Sequence, residues 1–507
     1  MTAKGIVFGN LLGTILFGRV ADWRANVIFV GFGWALYQLS LLRLHRHSVP
    51  AYIDRMPWEV LLLSLCGILF LVFGFRLILL FVCSIAAAFQ LRTVMLASHP
   101  RLNQVAEEYL LYFIVPFVGL IIASIFIFER LFKGRGLDEP DSRRELGDRI
   151  CDGCKVILVT TLGFVTLAKI NTDFFNPETS CMMLIETLKA WWSLPDFVEP
   201  LMEGMTPRLF VFLEGMIILL LYLWAPVGII FTVMFTQGLA NIGPTAFNAT
   251  IVCLTLSFLQ YSDRDHIIKG IKESWKVLVL IVAVLIPISY GIYDGSRPWH
   301  QFGIYHIVSL VIVFCSVLLI IARLEIRIPD VTKSNRGQKR AVAMGHAGVR
   351  RSKIHVVFLG VLIAGLLLNG FSPYLGLKHR LSFAMLSNLR VDNNRWNHFF
   401  IPEEVYLFQY DPYIRVHEIR SGPAMDRPHG DGRISRVMYS PREFKRRIEM
   451  YMKEEVGFSI SFEYKGRLYS FEDAELDATF LAFVNELCEN RWFQRWLYMD
   501  GPQHCVH

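Results

Sequence analysis

Apolar runs recur along this chain at about 27–44, 60–73, 77–91, 109–127, 155–170, 209–223, 226–240, 246–261, 277–292, 304–322 and 354–371, and they constrain its fold more than any other feature. The run from Ile304 to Ile321 carries no charge beyond the one that His306 would gain on protonation. As a helix, such a run crosses a hydrocarbon core of about 30 Å. In lipid each backbone donor and acceptor must be satisfied within the segment, which makes helix the default. A soluble helical core of this size would show polar faces at helical spacing, and these runs lack them. Only 19% of the residues are charged and 54% are hydrophobic, whereas soluble chains are about a quarter charged. The expected fold class is an α-helical polytopic membrane protein of about ten or eleven spans, with a small α+β C-terminal domain on the extracytoplasmic side.

Two runs are interrupted in ways that dictate local structure. The second and third meet at Gly74-Phe75-Arg76; an arginine in mid-membrane is costly, so a tight hairpin is expected there. Leu209 to Leu239 is split near Trp224-Ala225-Pro226, where proline ends or kinks a helix. The segment Gly5 to Gly18 is apolar but short, with no small-residue cleavage site after it, and reads as interfacial.

Charge sets orientation. Between the last two runs lie Arg323, Arg327, Lys333, Arg336, Lys339, Arg340, Arg350, Arg351 and Lys353 against Glu325 and Asp330, which marks a cytoplasmic loop. Counting backwards also places Arg264, Lys269 and Lys272 inside, and with them Arg130, Lys133, Arg135, Arg143, Arg144 and Arg149. The loop holding Arg43, Arg46 and Arg55 breaks this parity. Beyond about Gly370 the chain is then extracytoplasmic. The net charge of +7 lies largely in these loops and implies no nucleic-acid partner. The organisation expected is an N-terminal segment with the first span at 1–58, a membrane domain at 59–371, a loop over the extracytoplasmic face at 372–400, and a domain at 401–507.

The C-terminal domain reads as strands at Val405 to Tyr410, Tyr413 to Ile419 and Phe458 to Tyr464, a turn at Lys465-Gly466, and a returning strand from Leu468 to Phe471. Ser440-Pro441-Arg442-Glu443 has the form of a capping box that opens a helix to about Glu455. A last helix is expected from about Ala474 to Trp496. Of nine cysteines, Cys66, Cys83, Cys253 and Cys315 lie in apolar runs and read as small core residues. Cys151 and Cys154 form a lone CxxC with no second pair, and no metal site is expected. Cys488 and Cys505 could pair in an oxidising compartment.

The stretch Phe164 to Cys181 is the densest in candidate chemistry. Lys169 closes a span and is followed by Asn171, Asp173, Asn176 and Glu178. One reading is a lysine reaching outward to headgroups. The other is a desolvated lysine whose lowered pKa lets a neutral amine accept a proton, with Asp173 orienting it or binding a cation. Glu214, five residues into a run, is an intramembrane acid that faces either a protein interior or interfacial water. Glu107 and Glu108 read as helix-start acids. A second polar stretch runs from Asn369 to His398, and His398 is either a titrating group or a structural one. No Walker loop, HExxH, GxSxG or dinucleotide fingerprint occurs, which argues against hydrolases and nucleotide-driven pumps.

Ala168 to Phe175, AKINTDFF, resembles the lysine-centred motif of the vitamin K-dependent γ-carboxylase superfamily. Gly376 to His398, GLKHRLSFAMLSNLRVDNNRWNH, is similar to the signature after the last span in its bacterial horizontally transferred transmembrane (HTTM) domain members. The resemblance covers most of residues 60 to 400 and does not reach the last hundred. It implies a multi-pass inner-membrane lyase in which Lys169 deprotonates a reduced naphthoquinone such as vitamin K or menaquinol, with oxygen and carbon dioxide as co-substrates. A secreted or membrane polypeptide would be the substrate. Glu214 would match a family acid. Ala168 stands where carboxylases carry another lysine, and a counterpart for their second catalytic group, a histidine, is not evident. The competing reading is a non-catalytic membrane scaffold or transporter whose C-terminal domain binds a partner. A Lys169 buried beside Glu214, in a closed apolar cavity, would favour the enzyme; an exposed Lys169 would favour the scaffold.

Overall fold

The computed structural model describes residues 22–45, 58–96, 106–132, 139–176, 207–240, 245–274, 276, 279, 311–313, 315–320, 352–377, 382–384, 387, 389–391, 396–405, 407, 413–421, 437–439, 441, 444–445, 448–449, 452, 458–472, 474, 477–487 and 497–498. Within them the apolar runs become helices: α1 (Trp23–His45), α2 (Trp58–Phe73), α3 (Leu77–Leu96), α4 (Ala106–Phe132), α5 (Pro140–Ala168), α6 (Pro207–Leu223), α7 (Ala225–Ala240), α8 (Thr245–Thr255) and α9 (Lys353–Phe371). Three stretches, Leu110–Phe132, Pro140–Ala168 and Lys353–Phe371, are helices long and apolar enough to cross a membrane. Shorter apolar helices accompany them, among them Leu61–Phe73, Leu77–Arg92, Ala225–Thr236 and Phe247–Phe258. Most of the expected run at 277–292 and part of that at 304–322 lie outside the described residues, as do Gly5 to Gly18, Cys488 and Cys505.

The two interruptions fold as their chemistry requires. Gly74 sits at φ +63° between α2 and α3, a left-handed conformation that glycine adopts without steric cost. The next amide, Phe75 N–H, donates to Asn26 Oδ1 at 3.1 Å. A Cβ on Gly74 would lie 2.8 Å from that same oxygen. Trp224 separates α6 from α7, and Gly228 lets α7 pass close to the backbone of Leu221.

One apolar core joins the helices. Phe29, Phe32, Phe70, Phe75, Phe126, Ile157 and Leu158 are all buried in it. Phe29 packs against Phe70 and Phe75 with ring centroids 5.6 and 5.3 Å apart. Cys66, Cys83, Cys151 and Cys154 belong to this core, whereas Cys253 packs with Trp34, Ala35 and Ala249.

Helix α5 corrects the expected layout. Its apolar run at 155–170 is only the latter part of a 29-residue helix, so Arg143, Arg144 and Arg149 lie on a helix and not in a loop. Pro140 occupies its first turn, where the missing N–H costs nothing. The charged half is stabilised by pairing: Arg149 meets Glu129 at 2.9 Å and Glu145 at 2.6 Å, Arg130 also meets Glu145, and Arg24 bridges Asp22 and Asp148 at 2.6 Å each. Ser352, the N-cap of α9, donates to Glu129. These pairs tie the same ends of α1, α4, α5 and α9 together.

The C-terminal region forms an antiparallel sheet in the order β4-β3-β1-β2-β5, from β1 (Ile414–Ser421), β2 (Val437–Tyr439), β3 (Phe458–Tyr464), β4 (Arg467–Phe471) and β5 (Leu497–Tyr498). Strands β3 and β4 join through Lys465 (φ 51°) and Gly466 (φ 73°), a two-residue turn whose twist suits a hairpin. A bulge falls between Val416 and Glu418. Alternation along β3 buries Phe458, Ile460 and Phe462 against Phe444, Ile448 and Phe480. Helix α10 (Ala478–Glu486) begins four residues later than Ala474, because the Asp477 carboxylate caps Thr479 and Phe480 N–H. Leu487 already departs from helical geometry, which ends α10 at Glu486; residues 488–496 lie outside the described residues. The strand expected from Val405 to Tyr410 is corrected at its first residue, while 406 and 408–410 lie outside the described residues. Val405 ends a 3-10 turn that begins at Glu403. Residues Ser440 and Glu443 of the capping box lie outside the described residues, while Pro441, Phe444, Lys445, Ile448, Glu449 and Met452 are helical.

Candidate functional site

The site lies where α5 runs out. Lys169 is the C-cap of α5, and its N–H donates to Thr166 O at 3.1 Å. Asn171 is then extended (φ −145°, ψ 163°), and its Oδ1 accepts from Phe174 N–H at 2.8 Å, capping the single turn Thr172–Phe175. Asparagine suits this position because its short side chain satisfies an orphan helix donor.

Lys169 points inward. Its Nζ donates to both oxygens of Glu214, at 2.7 and 2.8 Å. Each residue is 3% exposed. Glu214 is one turn beyond Phe210 on α6, and the Phe210 ring centroid lies 5.1 Å from Nζ. Phe210 also packs against Phe174 and Phe235. The ammonium thus has a carboxylate on one side and an aromatic face beside it, and both ions have given up water. Such a pair holds only because its charges meet at close range.

The described residues between 382 and 401 form a strap that meets this helix end and the turn after it. Arg390 grips Asp173 in a two-pronged contact, Nε to Oδ2 at 2.6 Å and Nη2 to Oδ1 at 2.8 Å. Asp173 is thereby paired with a side chain of the chain itself. Asn171 Nδ2 donates to Ala168 O at 2.8 Å and also to Ser387 O. Asn397 donates to Asn171 Oδ1 at 3.2 Å and accepts Arg390 N–H at 2.8 Å. Thr172 N–H reaches Asn397 O at 2.9 Å and Phe399 N–H reaches Ile170 O at 3.2 Å, which makes a one-residue antiparallel bridge between Asn171 and His398.

His398 is committed to backbone. Its Nδ1 accepts from Phe400 and Ile401 N–H at 3.1 and 3.0 Å, and its Nε2 lies 2.9 Å from Leu167 O. A nitrogen that accepts two N–H groups carries no proton, so Nε2 is the protonated nitrogen and donates to Leu167. Burial pushes the imidazole below its ordinary value of 6.5, against the opposing effect of the Leu167 bond. The edge of the ring meets Tyr374 at 5.1 Å.

Of the four expected site residues, Lys169 and Glu214 are in direct contact. Asp173 lies on the turn just after Lys169 and pairs with Arg390, and His398 lies in the segment that bridges back to Asn171. Sequence reasoning gave no role to Phe210, Arg390 or Asn397. An aromatic residue one turn before an intramembrane acid was a usable signal for Phe210. Arg390 and Asn397 reach residue 171 or 173 across more than two hundred positions, which no local pattern reveals. Among the described residues no group of three or more His, Cys, Asp or Glu is placed to hold a metal ion. No family model, curated protein or solved structure matches the chain.

Proposed function

We propose that this chain is an integral membrane enzyme in which the Lys169–Glu214 pair transfers a proton at the extracytoplasmic face, as in the quinol-dependent carboxylases that its motifs resemble. The observation that carries the reading is the fully paired, desolvated contact between Lys169 Nζ and both Glu214 oxygens. An isolated structural ion pair is seldom retained in an interior for stability alone, because apolar replacements do as well. A buried ionisable pair in an apolar helix is a site for handling charge.

The membrane reading is supported by the outward surface of α9. Ile354, Val356, Val357, Val361 and Leu368 are each more than half exposed. Such a face suits hydrocarbon and not water. About ten or eleven spans, with the 401–507 domain outside the cell, complete the proposal.

The residues around Lys169 suit a reduced naphthoquinone. Phe174, Phe210 and Phe235 pack together as an aromatic cluster beside a group able to take a proton, the apolar surroundings a flat ring would need. Bound there, that group would supply, with oxygen and carbon dioxide, the strong base and the carboxylation that the resemblance implies. The protein's part is proton bookkeeping at two atoms. When Lys169 Nζ passes a proton to Glu214 Oε1, both become neutral, and the free amine is then a base. Burial beside Phe210 keeps water from competing for it. A secreted or membrane polypeptide, captured by the C-terminal domain, is the proposed acceptor of the carboxyl group.

The test incubates purified protein and its Lys169→Ala variant with reduced naphthoquinol, oxygen, bicarbonate and a peptide pool from the host envelope. Mass spectrometry reads quinone epoxide and carboxylated peptide. Epoxide from the wild type alone is the expected result. Equal epoxide from both, or none from either, contradicts the reading and favours a scaffold or transporter.

A further inference from the structure

His398 does not approach Lys169 with a free nitrogen, yet both of its nitrogens are used, and in a way that depends on charge. Nε2–H holds Leu167 O, two residues before Lys169, at the carboxyl end of α5. Nδ1 collects the amides of Phe400 and Ile401, folding the chain after the strap back onto the ring. Trp396 Nε1 then donates to Ile401 O at 2.6 Å, closing the same loop from the other side. Tyr374 packs its ring edge-to-face with His398 and tilted against Trp396. Only one of the three protonation forms of imidazole satisfies this arrangement. The Nδ1–H tautomer and the imidazolium both put a proton where two N–H groups already point.

We propose that His398 is a positioning residue, a neutral Nε2–H latch that holds residues 396–401 against the end of α5, and that protonation of its Nδ1 releases the strap. The latch bears on catalysis only through the function proposed above, since residues 396–401 lie against the end of α5 that carries Lys169. Among the described residues, the charged groups nearest this helix end are paired. Lys169 is matched by Glu214 and Asp173 by Arg390, and Tyr374 offers a neutral ring. None of them supplies a carboxylate to His398 that would hold an imidazolium in place.

The direction with pH follows from linkage. The latched state favours the neutral ring, so the folded value lies below 6.5. Its contribution is fully present above 6.5 and is lost as pH falls through the lower folded value.

Backbone hydrogen exchange on the full-length protein in lipid nanodiscs tests this without any substrate. Rates are corrected for the intrinsic pH dependence of exchange. The amides of Phe400 and Ile401 are expected to be protected at pH 7.5 and to exchange at least tenfold faster, after correction, at pH 5. In His398→Gln, whose amide still donates and accepts but cannot titrate, the corrected rate is expected to be the same at both pH values. In His398→Phe it is expected to be fast at both, while the β3–β4 hairpin stays protected and reports an intact fold. Wild-type protection that is equal at pH 5 and pH 7.5, or a His398→Gln variant that keeps the wild-type pH response, overturns the latch. Because exchange needs no quinol, the latch and the quinol reading can fail separately.

Discussion

Removing the amine of Lys169 leaves Glu214 as an uncompensated buried carboxylate, and breaking such a pair costs about 3–5 kcal/mol. Lys169→Met is therefore expected to lower the stability of the detergent-solubilised protein by that amount in a denaturant titration. The double variant Lys169→Met/Glu214→Leu is expected to recover most of it, since no charge is then stranded. A single variant as stable as the wild type would show that the pair is solvated and not buried. Lys169 and Glu214 were legible in the sequence because a charge inside an apolar run stands out against its surroundings. Their partnership was not. It depends on how α6 lies against the end of α5, and forty-five residues separate the two side chains. His398 was legible as a residue but not as a latch, since its role comes from backbone groups that carry no sequence signal.

At the scale of elements, α5 and α9 meet closely where Gly370 lies over the ring of Phe164. A Cβ there would overlap the ring, and Phe164 is also held edge-on by Phe371 at 4.9 Å. Gly370→Ala is expected to cost about 1–3 kcal/mol through overpacking and to lower the midpoint of thermal unfolding. An unchanged midpoint would mean the two helices can move apart freely. The strap gives a second expectation at this scale. Asp173→Asn weakens the two-pronged contact with Arg390 and is expected to speed proteolytic cleavage within residues 382–401, read by mass spectrometry, while the C-terminal sheet remains resistant. Apolar helices and the β3–β4 hairpin were legible because period and turn chemistry both mark them. The charged half of α5 was not, because Arg130, Arg149, Glu129 and Glu145 neutralise one another in the fold and look like loop residues in the sequence. The two- and three-residue strands β5 and β2 are too short to carry a period, and only their pairing defines them.

For the molecule as a whole, the apolar helices and the C-terminal sheet have separate cores. The helices bury the ion pair, and the sheet packs around Phe462 and Phe480. An extracytoplasmic sheet predicts that a cysteine placed at the exposed Ser470, in a background lacking the native cysteines, reacts with a membrane-impermeant maleimide in intact cells. Labelling only after permeabilisation would reverse the orientation. The central claim, that Lys169 Nζ is the atom that takes the proton, is tested most directly by chemical rescue. Lys169→Ala would be assayed for quinone epoxide with a series of small primary amines of graded basicity. The account predicts that activity absent from the variant returns with added amine and rises with the amine's pKa. Epoxide formed by the variant without amine, or no response to any amine in a variant whose wild-type parent is active, would contradict it.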